Sequence, residues 1–349
     1  LSLFSDPSNP SPAKQAPTEI MELAHDAAAV LADIDTLKGA WRERLESLLT
    51  LEMGHVFSYA TRHLARLKAM PLPDVIWSGS GGLPPYRLIG MEIMRRGGQV
   101  QRFGHGSAPS LFHKRFKGIS AIDLAVSTEY TFQTQSLLDF SEIVNLRDSL
   151  PEVFQPRMSA AFGDPKMAMP TTPSPKLASN GALKVLYPPT VYRGARQYLN
   201  PKLPDLVYRD WQRRLALMLK KLPIEVTCTL HPRERSRAEL YPITRCAAIS
   251  RSSFEDEIRS ADVVLLDYLN STNLATSLSS SLPVVFIDID GMALEPIFER
   301  ELRRRCAVIT AAYDERGRPI IDEAELAEAI TTANKDNDPT FFRQLYAGV

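Results

Sequence analysis

The sequence predicts an α/β protein with two doubly wound units, each built around a parallel sheet. Short apolar segments of strand length alternate with longer amphipathic segments of helix length in both halves of the chain. The 349 residues suggest two domains, at about 150 residues per domain. The longest apolar runs, such as residues 284–287, have strand length, so no membrane-spanning helix is predicted.

The composition is typical of a globular protein without a charge bias. Lys and Arg number 41, Asp and Glu number 41, and 44% of the residues are hydrophobic. The neutral balance argues against a general nucleic-acid-binding protein, which normally carries a basic excess. The apolar content argues against intrinsic disorder. The cysteines Cys228, Cys246 and Cys306 follow no zinc or disulfide pattern, which favours reduced thiols in the cytoplasm.

The N-terminal half contains a polar, Pro-rich tail followed by a first domain. Residues 1–17 form the tail and lack the pattern of a signal peptide. Residues 18–153 form the domain, which begins with two helices. The first helix has apolar residues at helical spacing, namely Ile20, Leu23, Ala27, Val30, Leu31 and Ile34. The second covers 42–70 and is expected to bury Leu45, Leu48, Leu49 and Leu51. A βαβ unit follows, with strands at 74–77, 99–103 and 121–126 and a helix over 85–96.

The C-terminal half contains a linker and a second doubly wound domain. Residues 154–183 are rich in Pro, Ser, Thr and Gly and predict the linker, and residues 184–349 form the domain. Its strands are expected at 183–187, 225–230, 263–266 and 284–288. Its helices are expected at 206–221, 254–260, 272–281, 295–304, 323–334 and 341–346. Because ligands bind at the carboxyl ends of parallel strands, the loops after these strands are the expected sites of function.

Two Gly-containing segments follow strands of the first domain. The segment 79–84 begins like the dinucleotide fingerprint but ends in Pro, and the next strand lacks the acidic ribose ligand, so the fingerprint fails. It is either a plain turn or an acceptor-binding loop formed by Gly79, Gly81 and Gly82, whose backbone amides would bind oxyanions. The second segment flanks His105 with two glycines. Its imidazole is suited to act as a general base or as a partner of a phosphate.

Three loops of the second domain are suited to bind phosphate. The loop after the first strand carries two prolines, a threonine and a cation, and the alternative is a Pro-stiffened turn. The next strand is followed by a His-Pro-Arg sequence, in which Pro restricts the preceding His to an extended geometry. The alternative interpretation is a solvated charged segment. The third loop, after Asp267, supplies polar residues that cap a helix N-terminus, where anions are stabilised. Together they predict a phosphate or pyrophosphate pocket. Its residues are Thr190, Arg193, His231, Pro232, Arg233, Asn270, Ser271 and Thr272.

The order VLYPPTVYRG, TLHPRE, ADVVLLDYLNSTNLATSLSSSLPVVFIDID resembles the C-terminal half of bacterial GT-B surface-polysaccharide enzymes. One group comprises transferases of CMP-activated 2-keto sugar acids, including Kdo transferases. The other comprises the CDP-glycerol and CDP-ribitol phosphotransferases of teichoic acid synthesis. Both have an HP motif beside the nucleotide, matched by His231-Pro232, and a Ser/Thr pair for its phosphate, matched by Ser271-Thr272. The Asn270-Ser271-Thr272 sequence is more similar to that of the keto-sugar group. The Gly-flanked His105 and the Pro-Pro-Thr loop are similar to the corresponding segments of the phosphotransferases.

The resemblance implies a GT-B fold, with two Rossmann-like domains that face a central cleft. The C-terminal domain would bind the nucleotide-sugar donor, and the N-terminal domain would bind a glycan or lipid-linked glycan acceptor. The implied reaction transfers Kdo or a nonulosonic acid from a CMP-activated donor to a cell-surface glycan, in capsule or lipopolysaccharide biosynthesis. It implies no cofactor and no metal, so protein groups would stabilise the leaving phosphate. A polyol phosphotransferase and a non-catalytic nucleotide-binding scaffold are the alternatives.

The catalytic residues are expected in the first domain. His105 is the first choice, and Asp123 and Glu129 are carboxylates expected near the end of a strand. The segment 288–290 has the DxD pattern of metal-binding transferases, but it is read as a solvated strand end. No nucleic-acid partner is expected. The expected location is the cytoplasm, with peripheral contact at the inner face of the membrane left open.

Overall fold

The fold is described from a computed structural model of the chain. The described residues are 17–33, 38–79, 84–104, 112, 124–153, 155–163, 181–192, 203–269, 272–289, 294–332 and 338–349. The chain divides into two compact units. Unit 1 comprises Leu1–Phe103, Ile122–Tyr130 and Glu152–Arg157, and unit 2 comprises Gly104–Ala121, Thr131–Pro151 and Met158–Val349. The domain boundaries expected at residues 153 and 183 stay a prediction.

Unit 1 begins with two packed helices, α1 (Thr18–Ala32) and α2 (Ala40–Lys68). The residues of α1 that are buried recur every fourth position and are all small, namely Ala24, Ala28 and Ala32. On α2, the predicted buried side is wrong for Leu48 and Leu51, which are 54% and 50% exposed. The buried residues of α2 are instead Gly54, His63 and Leu67. Small residues allow a close approach here, since a Cβ added at Gly54 of α2 would lie 2.8 Å from the sulfur of Met21 on α1.

The N-terminal sheet has, within the described residues, four strands in the order β1-β2-β3-β4. These are β1 (Val75–Ser78), β2 (Gln99–Phe103), β3 (Glu129–Phe132) and β4 (Arg157–Ala160). Helix α3 (Pro84–Arg95) connects β1 to β2, which pair in parallel as the predicted βαβ unit requires. Strand β4 lies inside the segment that was predicted to be a linker, where no strand was expected.

The predicted strand over residues 121–126 is wrong. Its described part, residues 124–126, forms no strand, and β3 begins at Glu129. Leu124 and Val126 are buried, but Val126 has a φ of 59°. A β-branched residue in the left-handed region cannot continue a strand. Leu124 and Val126 are therefore core residues that precede β3 and do not lie in a strand.

The C-terminal sheet has six parallel strands in the described part of unit 2, in the order β10-β9-β8-β5-β6-β7. They are β5 (Leu183–Tyr187), β6 (Ile224–Thr229), β7 (Ala248–Ser250), β8 (Val263–Leu266), β9 (Val284–Asp288) and β10 (Ala307–Thr310). Renumbered from β5, this is the order 3-2-1-4-5-6 of dinucleotide-binding sheets. The predicted α/β class with a parallel sheet in each half is confirmed.

Helix α4 (Gln135–Ile143) was not predicted. The six helices predicted for the C-terminal half are present with shifted ends, namely α5 (Asp205–Leu219), α6 (Phe254–Glu257), α7 (Thr272–Ser279), α8 (Pro296–Arg305), α9 (Glu323–Thr331) and α10 (Thr340–Ala347). Residues 258–260, predicted as the end of α6, form a 3-10 turn, and residues 333–334 lie outside the described residues. A short antiparallel pair, β11 (Ala312–Tyr313) and β12 (Pro319–Ile320), precedes α9. The core of unit 2 packs the fully buried Trp211 and Leu215 of α5 against the sheet. In the described residues, no helix combines the length and apolar character needed to cross a bilayer.

Candidate functional site

The candidate site lies at the carboxyl edge of the C-terminal sheet. Strands β5 and β8 are neighbours there, although the chain enters β6 after β5. The connections after these two strands therefore lead to opposite sides of the sheet. This change in direction is the topological switch point at which open α/β sheets bind ligands.

A buried carboxylate stands at this point. Asp267 directly follows β8 and is 1% exposed. The Tyr187 hydroxyl donates to its Oδ2 at 2.6 Å, and the Trp211 indole Nε1 donates to the same oxygen at 2.9 Å. The Tyr208 hydroxyl lies 3.1 Å from Oδ1 and 3.2 Å from Oδ2. We call these four residues the Asp267 cluster.

The cluster is chemically unusual because the acceptor is charged and its donors are neutral. Burial raises the pKa of Asp267, and the hydrogen bonds from Tyr187, Trp211 and Tyr208 oppose that shift. Burial also raises the pKa of the Tyr187 and Tyr208 hydroxyls well above the usual value, and the negative charge of Asp267 adds to it. Both phenols therefore stay protonated and serve as hydrogen-bond donors.

The segment 188–192, which follows β5, is tied to the cluster. We call it the β5 loop. The backbone N–H of Thr190 donates to the Tyr208 hydroxyl at 3.1 Å, and that of Tyr192 donates to the Tyr241 hydroxyl at 3.3 Å. The Tyr192 hydroxyl donates to Gln212 Oε1 at 2.9 Å. The loop predicted to bind phosphate is thus held at two amides and one side chain.

The His-Pro segment lies on the neighbouring strand at the same edge. His231 and Pro232 follow β6, which pairs with β5, and both are exposed. The chain then forms 3-10 turns over Pro232–Leu240, and the N–H of Glu234 donates to the His231 carbonyl at 2.8 Å. Of Arg233, only the backbone is described.

Glu234 connects this segment to the β5 loop. Its side chain is 9% exposed and lies beside the hydroxyl of Tyr241. Burial raises the pKa of Tyr241, and the charge and hydrogen bond of Glu234 act in the same direction. Tyr241 therefore links a buried carboxylate on one side with the Tyr192 amide on the other.

The third predicted loop is described in part. Thr272 is the first residue of α7 and is exposed, whereas Asn270 and Ser271 lie outside the described residues. Since α7 follows β8, its N-terminus lies at the carboxyl edge of the sheet. The unpaired backbone N–H groups and the dipole at a helix N-terminus favour an anion there. Arg193, at the end of the β5 loop, also lies outside the described residues.

Most of the site residues predicted in the N-terminal half lie outside the described residues. His105, Asp123, Gly81 and Gly82 lie outside the described residues, and Gly79 is an exposed residue directly after β1. Glu129 begins β3, so its expected place near the end of a strand is wrong. The reason is that the strand itself lies later in the chain than predicted.

Glu129 is engaged in an ion pair at this place. Its Oε1 accepts a hydrogen bond from Arg157 Nη2 at 2.9 Å. A catalytic role of Glu129 stays a prediction.

The structure thus brings Thr190, His231 and Thr272 to one edge of one sheet, after β5, β6 and β8. Sequence reasoning missed the side chains that hold these loops. The available signal was a polar residue at the end of each buried strand, Tyr187 after KVL and Asp267 after VVLL. A polar group in that position must find a partner when it is buried.

No metal site is evident in the part of the chain that the structure describes. That part contains no group of three or more His, Cys, Asp or Glu side chains that could hold a metal ion. In the DxD pattern, Asp288 is the last residue of β9, and Asp290 lies outside the described residues.

Comparison with known proteins gives matches among solved structures. No protein-family model and no curated protein matches the chain. Arabidopsis thaliana UGT89C1 complexed with UDP-L-rhamnose is 14% identical, with a TM-score of 0.41 over 98% of this chain and 77% of that one. A UDP-glucosyltransferase from Polygonum tinctorium, capable of glucosylating indoxyl and in complex with 3,4-dichloroaniline, is 13% identical, with a TM-score of 0.43 over 89% and 78%. At these identities and TM-scores, no conclusion about this chain is drawn from the two matches.

Proposed function

We propose that this chain is a glycosyltransferase that binds its nucleotide-activated sugar at the carboxyl edge of the C-terminal sheet. The observation that carries the proposal is the switch point between β5 and β8. At this point, β5 is followed by a loop whose amides are held by buried tyrosines, and β8 is followed by the N-terminus of α7. Such an arrangement suits a nucleotide phosphate.

The leaving nucleotide needs groups that stabilise its phosphate charge. Thr272 and the N-terminus of α7 are placed to do so, and His231 is exposed at the same edge. These groups act through preorganised hydrogen bonds and dipoles. In the sequence, Arg193 follows the β5 loop, and Asn270 and Ser271 directly precede Thr272, so these residues complete the proposed phosphate site.

The proposed donor is CMP-linked, with Kdo or a nonulosonic acid as the sugar and a cell-surface glycan as the acceptor. The support is the resemblance of the Asn270-Ser271-Thr272 and His231-Pro232 segments to the keto-sugar transferases. His105 is the proposed general base, with Asp123 and Glu129 as the alternatives. The proposed reaction uses no metal ion.

The test is donor turnover by the full chain. CMP-Kdo, CMP-sialic acid and UDP-sugars are incubated with the protein and glycan acceptors, and release of the free nucleotide is measured. We expect CMP release from one of the two CMP-sugars. Release of UDP alone would leave a glycosyltransferase with a different donor, and release from none would reject the proposal.

A variant pair connects this activity to the proposed site. His231→Ala should weaken CMP binding in calorimetry by about tenfold, as expected for one lost bond to a charged group. The control is His55→Ala, because His55 is an exposed residue of α2 in unit 1. Equal CMP affinity of the two variants would place the nucleotide elsewhere.

A polyol phosphotransferase is the second candidate, favoured by the Pro-Pro-Thr sequence that the β5 loop contains. This enzyme would release CMP from CDP-glycerol or CDP-ribitol and form a phosphodiester. Turnover of these donors, together with inertness towards CMP-sugars, would replace the first candidate with the second. A chain that binds no nucleotide in calorimetry would be neither enzyme.

A further inference from the structure

The hydroxyl of Tyr208 has a fixed orientation. A phenol carries one hydrogen, and Tyr208 directs it to the buried carboxylate of Asp267. Its oxygen is then an acceptor, and the Thr190 amide donates to it at 3.1 Å. Because the hydrogen of the Tyr208 hydroxyl is directed to Asp267, the oxygen is left to accept the hydrogen bond from the β5 loop.

Tyr241 repeats this arrangement from another part of unit 2. Its hydroxyl faces the Glu234 carboxylate and accepts the Tyr192 amide at 3.3 Å. The rings of Tyr192 and Tyr241 also pack together, with centroids 4.5 Å apart. Two buried acids, each acting through one tyrosine, thus hold amides that lie two residues apart in the loop.

The amide between them is that of Val191. The N–H groups of Thr190 and Tyr192 donate to the two tyrosines, and residues 188 and 189 are prolines, which have no N–H. Within the described residues, the Val191 N–H and the Thr190 hydroxyl make no hydrogen bond, and both residues are half-buried.

We propose that Tyr208 and Tyr241 are positioning residues that hold the β5 loop so that the Thr190 hydroxyl and the Val191 N–H bind the phosphate of the donor. The inference rests on the proposed function. It assigns two donor atoms to the phosphate site. It also explains why two of the three N–H groups in a loop with two prolines, those of Thr190 and Tyr192, are bonded to tyrosines. Neither tyrosine touches the ligand, so both act through the loop.

The first experiment measures hydrogen exchange of the loop amides in the full chain. Tyr208→Phe and Tyr241→Phe each remove one acceptor and keep the ring, so exchange over residues 190–192 should rise about tenfold. Tyr187→Phe is the matched control. It also loses a hydroxyl that bonds to Asp267, but that hydroxyl holds no loop amide. Equal exchange in Tyr208→Phe and Tyr187→Phe would overturn the proposed clamp.

The second experiment measures CMP affinity by calorimetry. We expect Tyr208→Phe and Tyr241→Phe to weaken CMP binding about fivefold, and to change KM for the donor more than kcat. A purely structural role would lower the unfolding temperature of these variants and leave CMP affinity at the wild-type value. That result would overturn the inference.

The third experiment addresses the two donor atoms. Thr190→Val removes the hydroxyl and should weaken CMP binding about tenfold, whereas Thr190→Ser keeps the hydroxyl and should restore it. Val191→Pro removes the N–H, and Val191→Ala keeps it. Equal affinities within each pair would overturn the assignment of that donor atom.

Failure of the proposed function is a separate result. If the wild-type chain bound none of the tested nucleotides, the proposed function would fail and with it the role of the loop. The exchange comparison would still decide whether the tyrosines hold the loop.

Discussion

Glu92 and Asp267 are two buried carboxylates with opposite surroundings. Both are 1% exposed. Glu92, on α3 of unit 1, accepts hydrogen bonds from Arg95 at 2.7 Å and from Arg96 at 2.8 Å. These bonds lower the pKa of Glu92 to about 2. Asp267, in unit 2, is bonded by neutral groups, and its burial raises its pKa.

The two carboxylates also hold different kinds of structure. Through Arg96, Glu92 ties α3 to the end of α2, because the guanidinium also donates to the Leu67 carbonyl at 2.6 Å and the Met70 carbonyl at 2.9 Å. Through Tyr208, Asp267 holds a loop at the edge of a sheet. At Glu92, an ion pair thus joins two helices. At Asp267, a neutral tyrosine that donates to the buried carboxylate also holds the β5 loop. The direction of each pKa shift follows from the larger contribution, which is the hydrogen bonds from two arginines at Glu92 and desolvation at Asp267.

The largest effect is expected when the charge of Asp267 is removed. Asp267→Asn should lower the free energy of unfolding by about 3 kcal/mol, since three buried donors lose a charged acceptor. The amide also places its own N–H groups against those donors. Urea unfolding at neutral pH measures the loss.

Glu239→Gln is the control for this variant, because Glu239 is an exposed acid of unit 2. Its free energy of unfolding should stay within about 0.5 kcal/mol of the wild type. A similarly small loss in Asp267→Asn would show that the Asp267 cluster does not stabilise the fold.

A smaller effect is expected for Glu92→Gln, and it should depend on pH. A folded pKa of about 2 lies below the ordinary value of 4.5, so the carboxylate stabilises unit 1 above pH 4.5. That contribution is lost as the pH falls towards 2. The difference in urea midpoint between the wild type and Glu92→Gln should therefore narrow below pH 4.5.

The corresponding difference for Asp267→Asn should change in the opposite direction. A folded pKa above the ordinary 3.8 means that the wild type gains stability when Asp267 takes up its proton. The difference between the wild type and Asp267→Asn should widen as the pH falls towards 3.8. If both differences narrowed together, the contrast between the two carboxylates would be wrong.

The smallest effect is expected for the ion pair at the start of β3. Glu129 and Arg157 have side chains that are 22% and 76% exposed, and such pairs contribute about 0.5 kcal/mol or less. The free energy of unfolding of Glu129→Gln, measured in urea, should therefore lie within about 0.5 kcal/mol of the wild-type value. A fall in kcat of about a hundredfold at unchanged stability would identify Glu129 as the general base.

Most elements of unit 2 could be predicted because their signals are local. The strands 183–187, 263–266 and 284–288 have the predicted bounds, since each is an apolar run between polar, Gly or Pro residues. Unit 1 was predicted less well. On α1, the larger Leu23 and Val30 are exposed while alanines are buried, and periodicity alone does not tell which face finds a partner.

The candidate site was predicted by its loops and not by its supports. Thr190, His231 and Thr272 follow strands, and parallel strands place their carboxyl ends at one edge. Tyr208 and Trp211 read in the sequence as ordinary residues of an amphipathic helix. Their bonds to Asp267 join positions that are 59 and 56 residues apart, and no local pattern reports such a pairing.

By itself, the sequence determined the α/β class, the strands of the C-terminal sheet and the edge at which the loops gather. These follow from apolar periodicity and turn residues, which act between near neighbours in the chain. Only the tertiary structure decided how deeply Asp267 and Glu92 are surrounded and which groups bond to them, and hence the directions of their two pKa shifts. It also decided which tyrosines hold the amides of the β5 loop. Desolvation and hydrogen bonding depend on distances of a few ångströms in space, whatever the separation along the chain.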